Sequence, residues 1–136
     1  MILVDTSVLI DSLKGIQNEK VDIFKKVIRY NIPYGISAYT YQELLQGAKD
    51  EKEYQALTSY LSTQKIYFLP QVLDTYAKSA RMYFELRRHD ITPRSTIDIM
   101  IALTAIEYDL LLLHNDRDFD KMAGAKPDIR ILRIIF

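Results

Sequence analysis

Ile2-Leu3-Val4-Asp5-Thr6-Ser7-Val8-Leu9 is the stretch that decides the fold of this chain. Three apolar residues run into a polar Asp-Thr-Ser turn, and Val8, Leu9 and Leu13 then recur at helical spacing. A short continuous apolar run bounded by a turn signal reads as a buried strand, and the spacing after it as a helix. The same order returns along the chain. Val21, Phe24, Val27 and Ile28 mark a second helix, and Tyr34 to Ser37, after Pro33, the next strand. Tyr41, Leu44, Leu45 and Ala48 give a helix that ends near Gly47; Tyr54, Leu57 and Leu61 another; Ile66 to Leu69 a short strand. Tyr76, Ala77, Ala80, Tyr83 and Phe84 predict a longer helix. Thr96 to Tyr108 is apolar on nearly every side, as a helix buried between layers is. Leu110 to Leu113, with His114 at its end, is an aliphatic run typical of a central parallel strand, and Ile129 to Ile135 would close the sheet.

Strands alternating with helices of this length imply right-handed crossovers and a parallel sheet covered on both faces. The expectation is therefore an α/β protein, a three-layer α/β/α sandwich in which residues 1–136 form one domain. Sites in such folds lie outside the carboxyl ends of the strands. Crossover helices run against the strands, so their N-termini reach the same edge. Asp5, Glu43, Asp98 and Asp116 all fall at strand-to-helix junctions or on the helices entered there.

Each acid has a plain explanation when taken alone. Thr40-Tyr41-Gln42-Glu43 and Ser95-Thr96-Ile97-Asp98 fit a helix-capping box. Asp5 or Thr6, and Asn115 or Asp116, would serve as ordinary N-caps. The coincidence at one edge argues otherwise. Like charges placed together raise one another's pKa and cost stability unless a counter-ion is present. Divalent cations held by oxygen would remove that conflict, which is a nuclease-like arrangement.

Composition narrows the classes further. Hydrophobic residues make up 49% and charged residues 26% of 136 residues, a globular balance. No apolar run reaches the roughly 18 residues that span a bilayer, and the N-terminus lacks a signal peptide's basic flank, so a cytoplasmic protein is expected. The chain has no cysteine, which excludes disulfides, thiolate nucleophiles and zinc–sulfur sites. His89 and His114 are too few for a histidine-rich metal centre. Lys and Arg number 18 and Asp and Glu 18. That balance argues weakly against nucleic acid, an objection that cations bound by clustered carboxylates would soften.

Other motifs fail on their spacing. Asp116, Asp118 and Asp120 alternate like a calcium loop, but Lys121 stands where glycine is required and Pro127 where the bidentate glutamate belongs. A phosphotransfer aspartate at Asp5 would want a second aspartate where Ser7 stands. With four glycines there is no phosphate-cradling loop, and neither histidine accompanies a nucleophile elbow.

The order and spacing of four pieces resemble the PIN-domain ribonucleases, and in particular the VapC toxins of toxin–antitoxin pairs. The pieces are Val4-Asp5-Thr6-Ser7 after the opening strand, Ile36-Ser37 followed by Glu43-Leu44-Leu45-Gln46-Gly47, Asp98-Ile99-Met100-Ile101-Ala102, and Leu112 to Phe119 with His114-Asn115-Asp116-Arg117-Asp118-Phe119. The resemblance spans essentially the whole chain. It implies that Asp5, Glu43, Asp98 and Asp116 bind one or two Mg2+ or Mn2+ ions. Thr6 or Ser7, and Asn115, would support them. Asp118 is either an outer acid or a solvated helix-start residue; two positions beyond Asp116 it would be rotated away by about 200° if both were helical.

The chemistry implied is hydrolysis of an RNA phosphodiester by metal-activated water, leaving a 5′ phosphate and a 3′ hydroxyl. The implied partners are RNA, a cognate protein antitoxin and a second copy in a homodimer. Arg87, Arg88 and Arg94, with His89, flank the approach to the Asp98 helix, and either grip RNA phosphates or form a solvated connection. Lys14, Arg117 and Lys121 are equally open. Of the ten tyrosines, Tyr76 and Tyr83 sit at helical spacing, as core or interface residues do. Phe24, Val27, Tyr54, Leu57 and Leu61 are either docking surface or core. The rival readings are a housekeeping or DNA-directed nuclease of the same fold, and a non-catalytic scaffold, whose signature would be loss of one or more acids.

Overall fold

The computed structural model describes residues 1–135. Five parallel strands form one sheet in the order β3-β2-β1-β4-β5: β1 Ile2–Val4, β2 Tyr34–Ser37, β3 Ile66–Tyr67, β4 Leu111–Leu113 and β5 Arg130–Ile131. The helices between them are α1 Thr6–Leu13, α2 Glu19–Arg29, α3 Ala38–Gln46, α4 Glu51–Leu61, α5 Leu73–Arg88, α6 Thr96–Glu107 and α7 Arg117–Ala125.

Alternation along the central strand divides the core in two. Successive side chains of a strand point to opposite faces. Ile2 and Val4 therefore pack with Val8, Leu9, Phe24, Val27 and Leu44 from α1, α2 and α3. Leu3 packs on the other face with Met82, Leu86, Ile99, Ile101 and Phe119 from α5, α6 and α7. All of β1 is buried, and this is why its sequence is an uninterrupted apolar run rather than an alternating one. Helix α6 is buried from Ile99 through Ala105, as its all-round apolarity predicts. Gly35 in β2 admits β3, since a Cβ there would meet the Tyr67 ring at 2.5 Å and the Lys65 carbonyl at 2.8 Å.

Several boundaries differ from the sequence reading. The terminal strand is Arg130–Ile131 rather than Ile129 to Ile135. The last bond of that pairing runs from Leu132 N to Leu112 O at 2.9 Å, after which Arg133 and Ile134 are exposed at the sheet edge. β4 ends at Leu113, where its carbonyl accepts from Asp5 N at 2.8 Å, and His114 already belongs to the turn. Helix α3 is capped by Ser37, whose hydroxyl accepts from Tyr39 N at 3.1 Å. It therefore begins before Thr40, and the expected Thr40–Glu43 capping box does not form. Phe24, Val27 and Leu61 are core residues and so cannot be docking surface, while Tyr54 remains exposed. Among the described residues, no helix is long and apolar enough to cross a membrane.

Candidate active site

The strand order reverses at β1: the chain moves outward through β2 and β3, then returns to place β4 on the other side of β1. Such a switch point opens a crevice outside the carboxyl ends of the two adjoining strands. Asp5 follows β1 there, and Asn115 and Asp116 follow β4.

Asp5 is the N-cap of α1 and is buried. Its Oδ2 accepts from Ser7 N at 3.0 Å and from the Ser7 hydroxyl at 2.6 Å. The Ser7 hydroxyl in turn accepts from Asn115 N at 2.9 Å, which ties the β1 turn to the β4 turn. Asp11, about one helical turn beyond Ser7 on α1, accepts from both Asn115 Nδ2 and Asn18 Nδ2 at 3.0 Å. Glu43 reaches in from α3, and the Thr6 hydroxyl donates to its Oε1 at 2.7 Å. Thr40 lies against the same hydroxyl at 3.0 Å and is wholly buried. Asp98 sits in the first turn of α6, whose cap is the Ser95 hydroxyl accepting from Ile97 N at 3.1 Å.

The fourth corner is a pair. Asp116 caps α7 by accepting from Asp118 N at 3.0 Å, and its own N–H donates to His114 Nδ1 at 3.1 Å. The sequence leaves Asp118 open between an outer acid and a solvated residue; Asp116 has extended backbone and lies outside the helix, so the helical rotation that would turn Asp118 away does not apply. Carboxylate oxygens of Asp98, Asp116 and Asp118 come within 4.8 Å of one another, a spacing that could hold a metal ion. Arg94, from the connection between α5 and α6, bridges the pair: Nε lies 3.0 Å from Asp118 Oδ2 and Nη2 3.1 Å from Asp116 Oδ1. Arg87 and Arg88 are not drawn in. They end α5 with their guanidinium groups over the Tyr83 and Phe84 rings of that helix, each at 5.7 Å.

The electrostatics record the crowding. Burial pushes Asp98 up to about 7, and the charges of Asp5, Asp116, Glu43 and Asp118 add to the rise. Asp5 rises to about 6, again chiefly by burial and with the Glu43 charge adding to it, although the Ser7 hydrogen bonds oppose the shift. At Asp118 burial is outweighed by the hydrogen bonds and charge of Arg94, which hold it below its usual value. His114 is lowered by burial and stays neutral, so Nδ1 is free to accept. Its Nε2 lies 3.3 Å from Asp120 Oδ1 but makes no aligned hydrogen bond. Buried acids crowded together in this way form an oxygen donor set suited to a hard divalent cation.

Thr40, Asp11 and His114 support the site in ways the sequence does not announce. Thr40 has the signature of a cap, Asp11 looks like any exposed position of a short helix, and His114 reads as a strand end.

A parallel sheet with acids gathered at the carboxyl edge of its switch point is the arrangement of a PIN domain. That family matches residues 2–125, and the chain belongs to it. Among characterised proteins, it is 26% identical over 124 residues to the VapC ribonuclease Mb1587 of Mycobacterium bovis and equally to ribonuclease VapC11 of Mycobacterium tuberculosis, covering 90% of this chain and 92% of each relative. Among solved structures it resembles a toxin–antitoxin complex from Klebsiella pneumoniae (26% identity, TM-score 0.66, 96% of this chain and 100% of the other). In fold it also matches DNA-bound VapBC from Salmonella typhimurium (24% identity, TM-score 0.74, 97% of this chain and 98% of the other).

Proposed function

We propose that this chain is a metal-dependent endoribonuclease and the toxin of a type II toxin–antitoxin pair. The observation that carries the reading is the convergence of Asp5, Glu43 and Asp98 with the Asp116–Asp118 pair at the switch point, in a chain whose relatives are named ribonucleases. No acid is lost, as a non-catalytic scaffold would allow.

One or two Mg2+ or Mn2+ ions would be held by Asp5, Glu43, Asp98 and Asp116, with Asp118 joining the outer side. Such ions, when bound, would supply an activated water for attack on phosphorus and positive charge against the departing 3′ oxygen. The chain's own residues orient that donor set. Ser7 fixes Asp5, Thr6 fixes Glu43, and the cap of α7 fixes Asp116. A cleft of about 590 Å³ opens over the pair, lined by Ser7, Asn115 and the basic side chains Arg94, Arg117 and Lys121. These basic groups, rather than Arg87 and Arg88, would meet RNA phosphates.

A second groove, of about 530 Å³, runs beside Glu43 between α1, α3 and α4 and is lined by Ile10, Leu13, Leu44, Leu57 and Tyr60. Its apolar floor next to the acids suits an amphipathic helix of the antitoxin. Phe68, Val72, Leu73 and Tyr76 are all exposed along the segment from β3 into α5, and an apolar patch built from them would suit a homodimer. The pair would act in the cytoplasm, where RNA is.

The test is RNA cleavage by the purified chain with and without EDTA. Cleavage that EDTA abolishes, that Mn2+ restores and that Asp98→Asn lacks is expected; cleavage that survives EDTA excludes the metal mechanism.

A further inference from the structure

We propose that Arg94 is a resident counter-ion of the carboxylate cluster, which occupies the outer half of the site and is displaced when a divalent cation binds there. The proposal rests on the metal-dependent reading of the site and adds a device that the reading does not require.

Arg94 grips by two nitrogens the same two carboxylates that, with Asp98, come within 4.8 Å of one another. One oxygen of each is committed to the guanidinium. Asp116 Oδ1 accepts from both Arg94 and the Asp118 N–H, and Asp118 Oδ2 takes Arg94 Nε. Among the described residues, no other basic side chain pairs with Asp5, Glu43, Asp98, Asp116 or Asp118. A guanidinium and a divalent cation therefore compete for the same pair of carboxylates.

The competition is weighted toward release. The Arg94 side chain is 75% exposed, and an exposed ion pair is held only weakly. Asp116 does not need it for position, because the α7 cap already fixes that carboxylate. Left in place, a single positive charge about 5 Å from a divalent ion would weaken binding on the order of tenfold even with water-like screening. Released, the side chain stays on the rim of the basic cleft, free to meet a phosphate. Arg94 would thus balance the cluster without metal and turn to substrate once metal is loaded.

The experiment compares wild type, Arg94→Met and Arg94→Lys by calorimetric titration with Mn2+, and follows the Arg94 Nε–H resonance of wild type during Mg2+ titration. The expected result is that Arg94→Met binds Mn2+ about twofold to fivefold more tightly, which is the cost of releasing an exposed ion pair, that Arg94→Lys, which keeps the charge, stays nearer wild type, and that the Nε–H signal leaves its salt-bridged position as metal saturates. Unchanged or weaker Mn2+ binding in Arg94→Met, or an Nε–H signal unmoved by saturating Mg2+, overturns the proposal. RNA cleavage is scored separately. Tighter Mn2+ binding in a protein that cuts no RNA would remove the ribonuclease reading and leave the role of Arg94 standing, whereas failure of every variant to bind Mn2+ would remove both.

Discussion

The Asn115 amide ends on the Ser7 hydroxyl, 2.9 Å away and 108 positions distant in sequence. That hydroxyl donates its own hydrogen bond to Asp5 Oδ2. One serine thus joins the turns after the two central strands and sets the acid between them.

Replacing Ser7 with alanine should be felt in stability and in pH dependence together. The Asn115 N–H loses its partner, at about 1–2 kcal/mol. Asp5 loses hydrogen bonding that holds its pKa down to about 6, so the pKa rises and the carboxylate forms at higher pH. Cleavage by Ser7→Ala should therefore fall more at pH 7 than at pH 8.5, with its acid limb displaced upward. A pH–rate profile parallel to wild type would show that Ser7 does not tune Asp5.

Metal-free protein should become less stable as pH rises. Asp5 and Asp98 titrate near 6 and 7 in the folded chain against an ordinary 3.8, so folding favours their protonated forms. That contribution is fully present below about pH 4 and is lost as pH climbs through 6 and 7. In EDTA, melting should be higher at pH 5 than at pH 8. Asp98→Asn should flatten the slope and stabilise the chelated protein at pH 8 by about 1–2 kcal/mol, allowing for the partial exposure of Asp98. Added Mg2+ should stabilise wild type and not the variant. A chelated wild type more stable at pH 8 than at pH 5 would contradict the crowding of these acids.

The strand-turn-helix at Ile2 to Leu9 and the apolar runs at Tyr34 and Leu111 were legible because buried parallel strands leave uninterrupted aliphatic residues, and these fixed the layers and the edge on which the acids gather. The place of Asp118 was not legible for a local reason. The helix begins at Arg117, one residue after Asp116, and a helical rotation cannot be applied across a cap. Thr40 and Asp11 were hidden because their partners, Thr6 and Asn115, lie 34 and 104 positions away. Which apolar residues are buried was equally opaque, since periodicity marks Phe24 as apolar without saying that Tyr34 packs on its ring at 5.4 Å.

Leu73 is 84% exposed at the start of α5, an unusual place for a large aliphatic side chain, and Phe68 at 62% lies nearby in sequence. If this patch joins two copies, Leu73→Asp should give a monomer in sedimentation velocity with little loss of monomer stability, since the side chain is already in water. A dimer unchanged by both Leu73→Asp and Phe68→Asp would place the interface elsewhere.

A substitution in the groove beside Glu43 should separate toxicity from neutralisation. Expression of the chain alone should arrest growth, and co-expression of its genomic neighbour should relieve the arrest. Leu13, half exposed at the end of α1, lines the groove. Leu13→Glu should therefore still arrest growth while the neighbour no longer protects, with affinity between the purified proteins reduced by roughly tenfold or more. Full protection of Leu13→Glu would move the antitoxin to another face.

Asp116 and Asp118 give the sharpest test of how the outer half of the site is shared. Both carboxylates lie in the same group with Asp98 and both pair with Arg94, so geometry makes them comparable where sequence order alone favours Asp116. Asparagine is as good an N-cap as aspartate, so Asp116→Asn should keep α7 while removing charge. Asp118→Asn removes charge from the first turn of the same helix. Each should weaken Mn2+ binding and cleavage by a similar factor, and each should free Arg94 from half of its ion pair. If Asp118→Asn binds and cuts like wild type while Asp116→Asn fails, Asp118 serves only to hold the arginine, and the metal rests on Asp98 and Asp116 alone.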